Sequence, residues 1–253
     1  MARMLNRIFS TDSAKAIKAQ GYGYINAIHY MAPASLSGVN LCPHSSAGCR
    51  ALCLGWESGQ ASMVANDADL NSVRLSRIAK AQRFMGQRAN YMVDFVRSVE
   101  TELSKAIKGG KRLCVRPNGA TDIRFERVPC WRATNGEFFL KPSVMHAFPE
   151  VDFVDYTKNP RAFDRELPRN YHLTFSRSED NEAVCLELLA RGVNVAVVFA
   201  GDKPAMWHGF EVIDGDLHDL RQLDPRGPRG FVIALSPKGR KAKRDISGFV
   251  VRS

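Results

Sequence analysis

Short apolar segments of strand character alternate with helix-like segments through most of the chain, and no other feature restricts the fold as much. Residues 22–31 (YGYINAIHYM), 111–117 (KRLCVRP), 151–158 (VDFVDYTK), 170–177 (NYHLTFSR) and 194–201 (NVAVVFAG) are rich in β-branched and aromatic side chains, and FEVIDGD and GFVIALSP follow them. Between these runs, residues 67–85 carry Leu70, Val73, Ile78 and Ala81 at helical spacing, and a second helix is expected from Tyr91 to Ile107, closed by Gly109 and Gly110. NPRAFDREL reads as a short helix; SEDNEAVCLELLARG reads as a longer one, with Ser178 as N-cap and Gly192 as its stop. Strands that return through helices pair in parallel with right-handed crossovers, in an open doubly wound sheet or a barrel. Either architecture gathers functional groups at the C-terminal ends of its strands.

The chain has 253 residues, 45% of them hydrophobic and 25% charged, which suits one α/β domain over 1–253 with a cysteine loop at 40–54 and a basic C-terminal tail at 236–253. That apolar content excludes disorder, and no apolar run approaches the roughly 20 residues of a membrane span. The N-terminal segment MARMLNRIFSTDSAK lacks an apolar stretch followed by a cleavage site, so a cytoplasmic protein is expected. The net charge of +10 divides into +10 over residues 1–132, −7 over 133–219 and +7 over 220–253. Basic ends around an acidic middle point to an anionic partner, a nucleotide or DNA/RNA, with a merely solvated basic surface as the alternative.

Residues 19–49 contain no Asp, Glu, Lys or Arg, and this uncharged stretch ends in a cysteine loop, LCPHSSAGCRALC. Cys42, Cys49 and Cys53 there form a C-x6-C-x3-C pattern, and three free thiols on one polar loop would be an oxidation liability unless they bind metal. Three cysteines suit a 4Fe–4S cluster with one open iron. Zinc requires a fourth ligand, which His44 can supply. Cys114 and Cys185 lie in apolar periodic segments and are read as small core residues.

The strand-then-cysteine-loop order resembles the radical S-adenosylmethionine proteins, in which a three-cysteine loop follows the first strand of a partial (β/α)6 TIM-like barrel. More closely, the chain is similar to a family of bacteriophage proteins with a like cysteine loop. The resemblance covers the order of elements over about residues 20–236; the spacing departs from the C-x3-C-x2-C of the familiar enzymes, and Leu52 stands where they carry an aromatic residue. It implies a cluster whose open iron chelates S-adenosylmethionine and a one-electron cleavage to a 5′-deoxyadenosyl radical. For a phage protein in the host cytoplasm, it implies modification of a nucleotide or nucleic-acid base. Asn118, Gly119 and Asp122, after the second strand, match the family's glycine motif in position, although Asn-Gly also makes a plain turn.

Two further strand ends are polar. Asp155, Tyr156, Thr157 and Lys158 close one strand, and Ser176, Arg177, Ser178, Glu179 and Asn181 follow the next. Such groups can bind ribose hydroxyls, a carboxylate or a phosphate, or they can be helix caps and ordinary ion pairs. Asp214, Asp216, Asp219 and Asp224 offer a competing Mg²⁺-dependent nuclease site. His29, His146, His208 and His218 have no convincing ligand partner in sequence. In the tail, Lys238, Arg240, Lys241, Lys243 and Arg244 can contact nucleic-acid phosphates from a flexible segment, or remain solvated. A zinc-stabilised nucleic-acid-binding protein without redox chemistry is therefore the other functional reading. No P-loop, zincin or hydrolase-elbow pattern is present.

Overall fold

A computed structural model describes residues 8–252; the first seven residues of the N-terminal segment considered above lie outside the described residues. In chain order the strands are β1 (Phe9–Ser10), β2 (Tyr24–His29), β3 (Arg112–Arg116), β4 (Cys130–Thr134), β5 (Glu137–Lys141), β6 (Asp152–Thr157), β7 (Tyr171–Ser176), β8 (Val195–Ala200), β9 (Met206–Trp207), β10 (Phe210–Asp214), β11 (Val232–Leu235) and β12 (Val251–Arg252). The α-helices are α1 (Ala14–Gln20), α2 (Ala47–Ala51), α3 (Leu54–Glu57), α4 (Ser72–Gly86), α5 (Arg88–Lys108), α6 (Val144–Ala147), α7 (Glu182–Ala190) and α8 (Gly239–Lys243). No helix among the described residues is long and apolar enough to cross a membrane.

Ten strands form one sheet in the order β1-β2-β3-β6-β7-β8-β11-β10-β9, with β12 added parallel to the end of β8. The pairs from β2 to β10 are parallel, and only the two-residue edge strands β1 and β9 run antiparallel. β2, β3, β6, β7, β8 and β11 lie side by side in chain order, which is winding in one direction; a doubly wound sheet would reverse about its first strand. The two edges do not pair with each other, so the sheet is open.

Side-chain alternation gives the sheet two different faces. Ala27, Leu113, Val115, Phe153 and Tyr171 pack with Phe84, Tyr91, Phe95 and Phe125 beneath α4 and α5. Phe175, Val195, Val197, Val232 and Ala234 extend that face under Cys185, Leu188 and Leu189 of α7. The residues between them in sequence form the other face. There Tyr24, Cys114 and Val154 meet Ala19 and Leu220, while Leu52, Ala242 and Val250 cover Val198 and Ala200. Cys114 and Cys185 are buried core residues, as the periodicity predicts.

The C-terminal segment is not the flexible tail expected from its charge. It forms α8, buries Ala242 and Val250, and ends as β12 on β8. Burial of its few apolar residues offsets the ordering entropy that a purely basic tail could not. The helix expected to start at Ser178 begins at Glu182, because the Ser178 hydroxyl donates to Asp180 and the Ser178 N–H donates to Asn181, which holds the segment in a turn. The β4–β5 hairpin stands apart as a two-stranded sheet.

Candidate functional site

A cavity of about 600 Å³ opens at the C-terminal ends of the parallel strands. Cys42, Cys49 and Cys53 line it together with Asn118 to Asp122, Tyr156 to Lys158, Ser176, Lys238 and Phe249. Each group arrives on a different element. Cys42 precedes α2, Cys49 lies within it, and Cys53 is the N-cap residue of α3, so the helix break at Leu52 turns the third thiol back toward the first two. Cys49 interacts electrostatically with both Cys42 and Cys53.

Close backbone approach seats the cysteine loop on the turn after β3. A Cβ on Gly55 would fall 2.0 Å from the Ala120 Cβ, and one on Gly119 would fall 2.6 Å from the His29 carbonyl oxygen. The Ala34 N–H donates to the Cys42 Sγ (3.3 Å), and the Cys42 thiol faces the Ala120 carbonyl oxygen (3.6 Å). From the far side, the Glu179 carboxylate accepts from the Gly48 N–H (2.7 Å) and the Ser46 hydroxyl (2.8 Å) at the start of α2.

Burial pushes the Cys42 thiol up to about 11 and the Cys53 thiol up to about 12, and raises Cys49 as well. Lys158 and Arg50 act against that rise at Cys49, and Arg77 of α4 acts against it at Cys53. The thiols are therefore protonated at neutral pH until something replaces the protons. Burial lowers the pKa of Lys158, whose Nζ donates to the Ser176 carbonyl (3.2 Å), the Ser176 hydroxyl (2.8 Å) and the Arg177 carbonyl (3.1 Å).

Several expected site residues take other roles. Asp155 is fully buried on the helix-covered face and does not line the cavity; it accepts from the Asn118 N–H (2.8 Å), the Asn118 Nδ2 (2.9 Å) and the Tyr171 hydroxyl (3.2 Å). Strand alternation sends Tyr156 inward and Asp155 behind it. Asn118 reaches the cavity, but its amide is occupied with Asp155, Thr121 and Ile123, which shape the turn. Asp122 lines the cavity and accepts from the Lys158 N–H. Glu179 clamps the cysteine loop. Arg177 pairs with Glu182 rather than Glu179, and donates to the carbonyls of Gly248 and Phe249.

His44 is exposed and does not line the cavity. Among the described residues, no three His, Cys, Asp or Glu side chains are disposed to hold a single metal ion. The four aspartates of the nuclease reading are each matched by a cation. Asp214 and Asp216 pair with Lys203, Asp219 with Arg116 (3.1 Å) and Asp224 with Arg221 (3.3 Å). In the C-terminal segment Lys238 pairs with Asp216, and Lys241 with Glu57 and Asp67. His29 is a core residue: its Nδ1 donates to the Pro117 carbonyl (2.8 Å) and its Nε2 accepts from the Tyr91 hydroxyl (2.6 Å).

Lys158, one of the polar strand-end residues noted in the sequence, lines the cavity, and so does Arg116, which sequence reasoning did not single out. Arg116 lies over the Tyr156 ring, 4.5 Å from its centroid; burial works against its charge, but Asp219 together with Tyr156, Tyr30 and Asp155 outweighs that effect and raises its pKa. For Arg116 the available signal was a charged residue closing β3 directly after Leu113, Cys114 and Val115.

Fold and site define an α/β protein with a one-way-wound open parallel sheet and a three-cysteine loop over the cavity at its strand ends. The chain belongs to the Gene product 88 family, a phage-type family that matches it over residues 5–253. No match was found among curated proteins or solved structures.

Proposed function

We propose that this protein is an iron–sulfur enzyme of the radical S-adenosylmethionine type, built on a partial (β/α)6 barrel, which modifies a nucleotide or nucleic-acid base in the host cytoplasm. One observation carries the reading: the three cysteines after the first parallel strand share a cavity with the polar ends of the strands that follow. Cys42, Cys49 and Cys53 would hold the cluster. Three cysteines on a common wall, with His44 outside the cavity, favour a cluster, which takes three thiolates, over zinc, which takes four ligands. The pairing of Asp214, Asp216, Asp219 and Asp224 with cations favours this reading over a Mg²⁺-dependent nuclease.

When bound, the cluster would supply the one-electron reduction of a sulfonium cofactor. The chain's own residues supply the rest. Lys158, Arg50 and Arg77 offset the negative charge that the thiolates bring into a buried site. The turn from Asn118 to Asp122, fixed from behind by Asp155, presents its backbone and the Asp122 carboxylate to the cofactor. Ser176 offers a hydroxyl within the cavity, Tyr156 contributes its ring while its hydroxyl donates to Asp219 (3.2 Å), and Phe249 and Val198 exclude water from the wall. A volume of about 600 Å³ is within the usual range for a small-molecule site.

Anaerobic purification followed by iron, sulfide and zinc analysis tests the proposal. A brown protein containing iron and sulfide is expected, with the cluster lost in Cys42→Ala, Cys49→Ala and Cys53→Ala. Full iron content in all three variants, or stoichiometric zinc alone in the parent protein, sinks it.

A further inference from the structure

A second cavity, of about 340 Å³, adjoins the first. Glu57 lines both, and α8 lies between them: Lys238 and Ala242 face the large cavity, whereas Arg240, Lys241 and Arg244 face the small one. Helical periodicity produces this division, because residues 240 and 244 share a face that 238 and 242 do not.

The cations of the small cavity differ in how they are employed. Arg74 is 1% exposed and structural, donating to the carbonyls of Ala61, Asp67, Asp69 and Trp56. Lys241 bridges Glu57 and Asp67. Arg240 and Arg244 are exposed, and among the described residues no carboxylate lies within ion-pair distance of either guanidinium. Two unpaired arginines one helical turn apart, on the wall of a cavity, match successive phosphates rather than a protein carboxylate.

We propose that this small cavity is a groove for the phosphate backbone of a single-stranded nucleic acid, one base of which enters the large cavity across α8. A single strand is the occupant because a base must be unstacked and unpaired to enter an interior site. Arg240 and Arg244 contact phosphates without reading sequence. The placement of the base, and with it the choice of a single strand, rests on the proposed function; the phosphate groove itself does not, and it requires no metal.

The test is fluorescence anisotropy with a labelled twelve-nucleotide oligo-dT over a range of salt concentrations. The parent protein is compared with Arg240→Ala/Arg244→Ala and with Arg97→Ala/Lys108→Ala, an equal charge loss on the exposed face of α5. At the lowest salt the groove variant is expected to bind at least tenfold more weakly, and its log–log salt slope to be shallower by about 1.4, the value for two lost phosphate contacts on a single strand. The control variant is expected to retain most of the affinity. The proposal is overturned by absence of binding in the parent protein, by an equal loss in the control pair, by an unchanged salt slope, or by a duplex that binds as tightly as the single strand. Metal analysis of the same preparation keeps the two readings separate: oligonucleotide binding without iron removes only the cluster, and iron without binding removes only the groove.

Discussion

Asp155 and His29 are both fully buried, and burial moves them in opposite senses. His29 is lowered from 6.5 to about 3, chiefly by desolvation, with Lys80 adding to the effect. Its contribution to stability is complete above pH 6.5 and is lost as pH falls from 6.5 toward 3. Asp155 is raised from 3.8 to about 7, again chiefly by desolvation, so its contribution is complete below 3.8 and is lost as pH rises through 7. Between about pH 4 and 6.5 the two slopes oppose each other. Asp155→Asn leaves His29 unopposed, and the variant should lose stability relative to the parent by about 1.4 kcal/mol per pH unit on acidification through that window. Urea unfolding at three pH values measures this; parallel stability curves for the two proteins would contradict it. Neither residue's role was legible from sequence, because a polar residue at a strand end reads the same whether it faces a cavity or supports the turn behind it.

At the scale of elements, the connection from β7 to α7 ties together two walls of the cavity. Glu179 fixes the start of α2, and Arg177 fixes the carbonyls of Gly248 and Phe249 ahead of β12. Hydrogen bonds from a charged donor contribute about 1.5–3 kcal/mol each. Arg177→Met should therefore lower the melting temperature and speed tryptic cleavage within the C-terminal segment; an unchanged cleavage rate would show that the segment is held by its apolar residues alone. The strand and helix expectations from residue 22 onward match the observed elements to within a few residues at most boundaries. The β4–β5 hairpin was not anticipated, although Asn135 and Gly136, with φ of 52° and 85°, form the Asn-Gly turn that marks such hairpins.

For the whole molecule, the parallel strands bury both faces, whereas the hairpin leaves Trp131, Phe138 and Leu140 48%, 69% and 58% exposed on one side. Stability is therefore distributed unevenly. In native-state hydrogen exchange, the amides of β4 and β5 should open through a local event well below the global unfolding energy, while those of β3, β6 and β7 exchange only on global unfolding. Equal protection in the two sets would mean that the hairpin belongs to the same cooperative unit. The division of charge also changes its meaning at this scale. The acidic middle is largely consumed in internal pairs such as Arg116 with Asp219 and Lys203 with Asp216, whereas Arg240 and Arg244 remain unpaired among the described residues.

The sequence by itself determined the succession of elements and the clustering of three cysteines after the first long strand, because hydrophobic period and turn chemistry act over a few neighbouring residues. Only the tertiary structure decided that those cysteines share a cavity with Asp122, Tyr156, Lys158 and Ser176, that Asp155 stands behind that cavity, and that a basic tail becomes a helix dividing two cavities. These outcomes depend on strand order and on which face each alternate side chain takes. Both are set by packing between segments distant in sequence, from the 88 residues between Tyr24 and Arg112, paired across β2 and β3, to the 131 between the Glu179 carboxylate and the Gly48 N–H it accepts from.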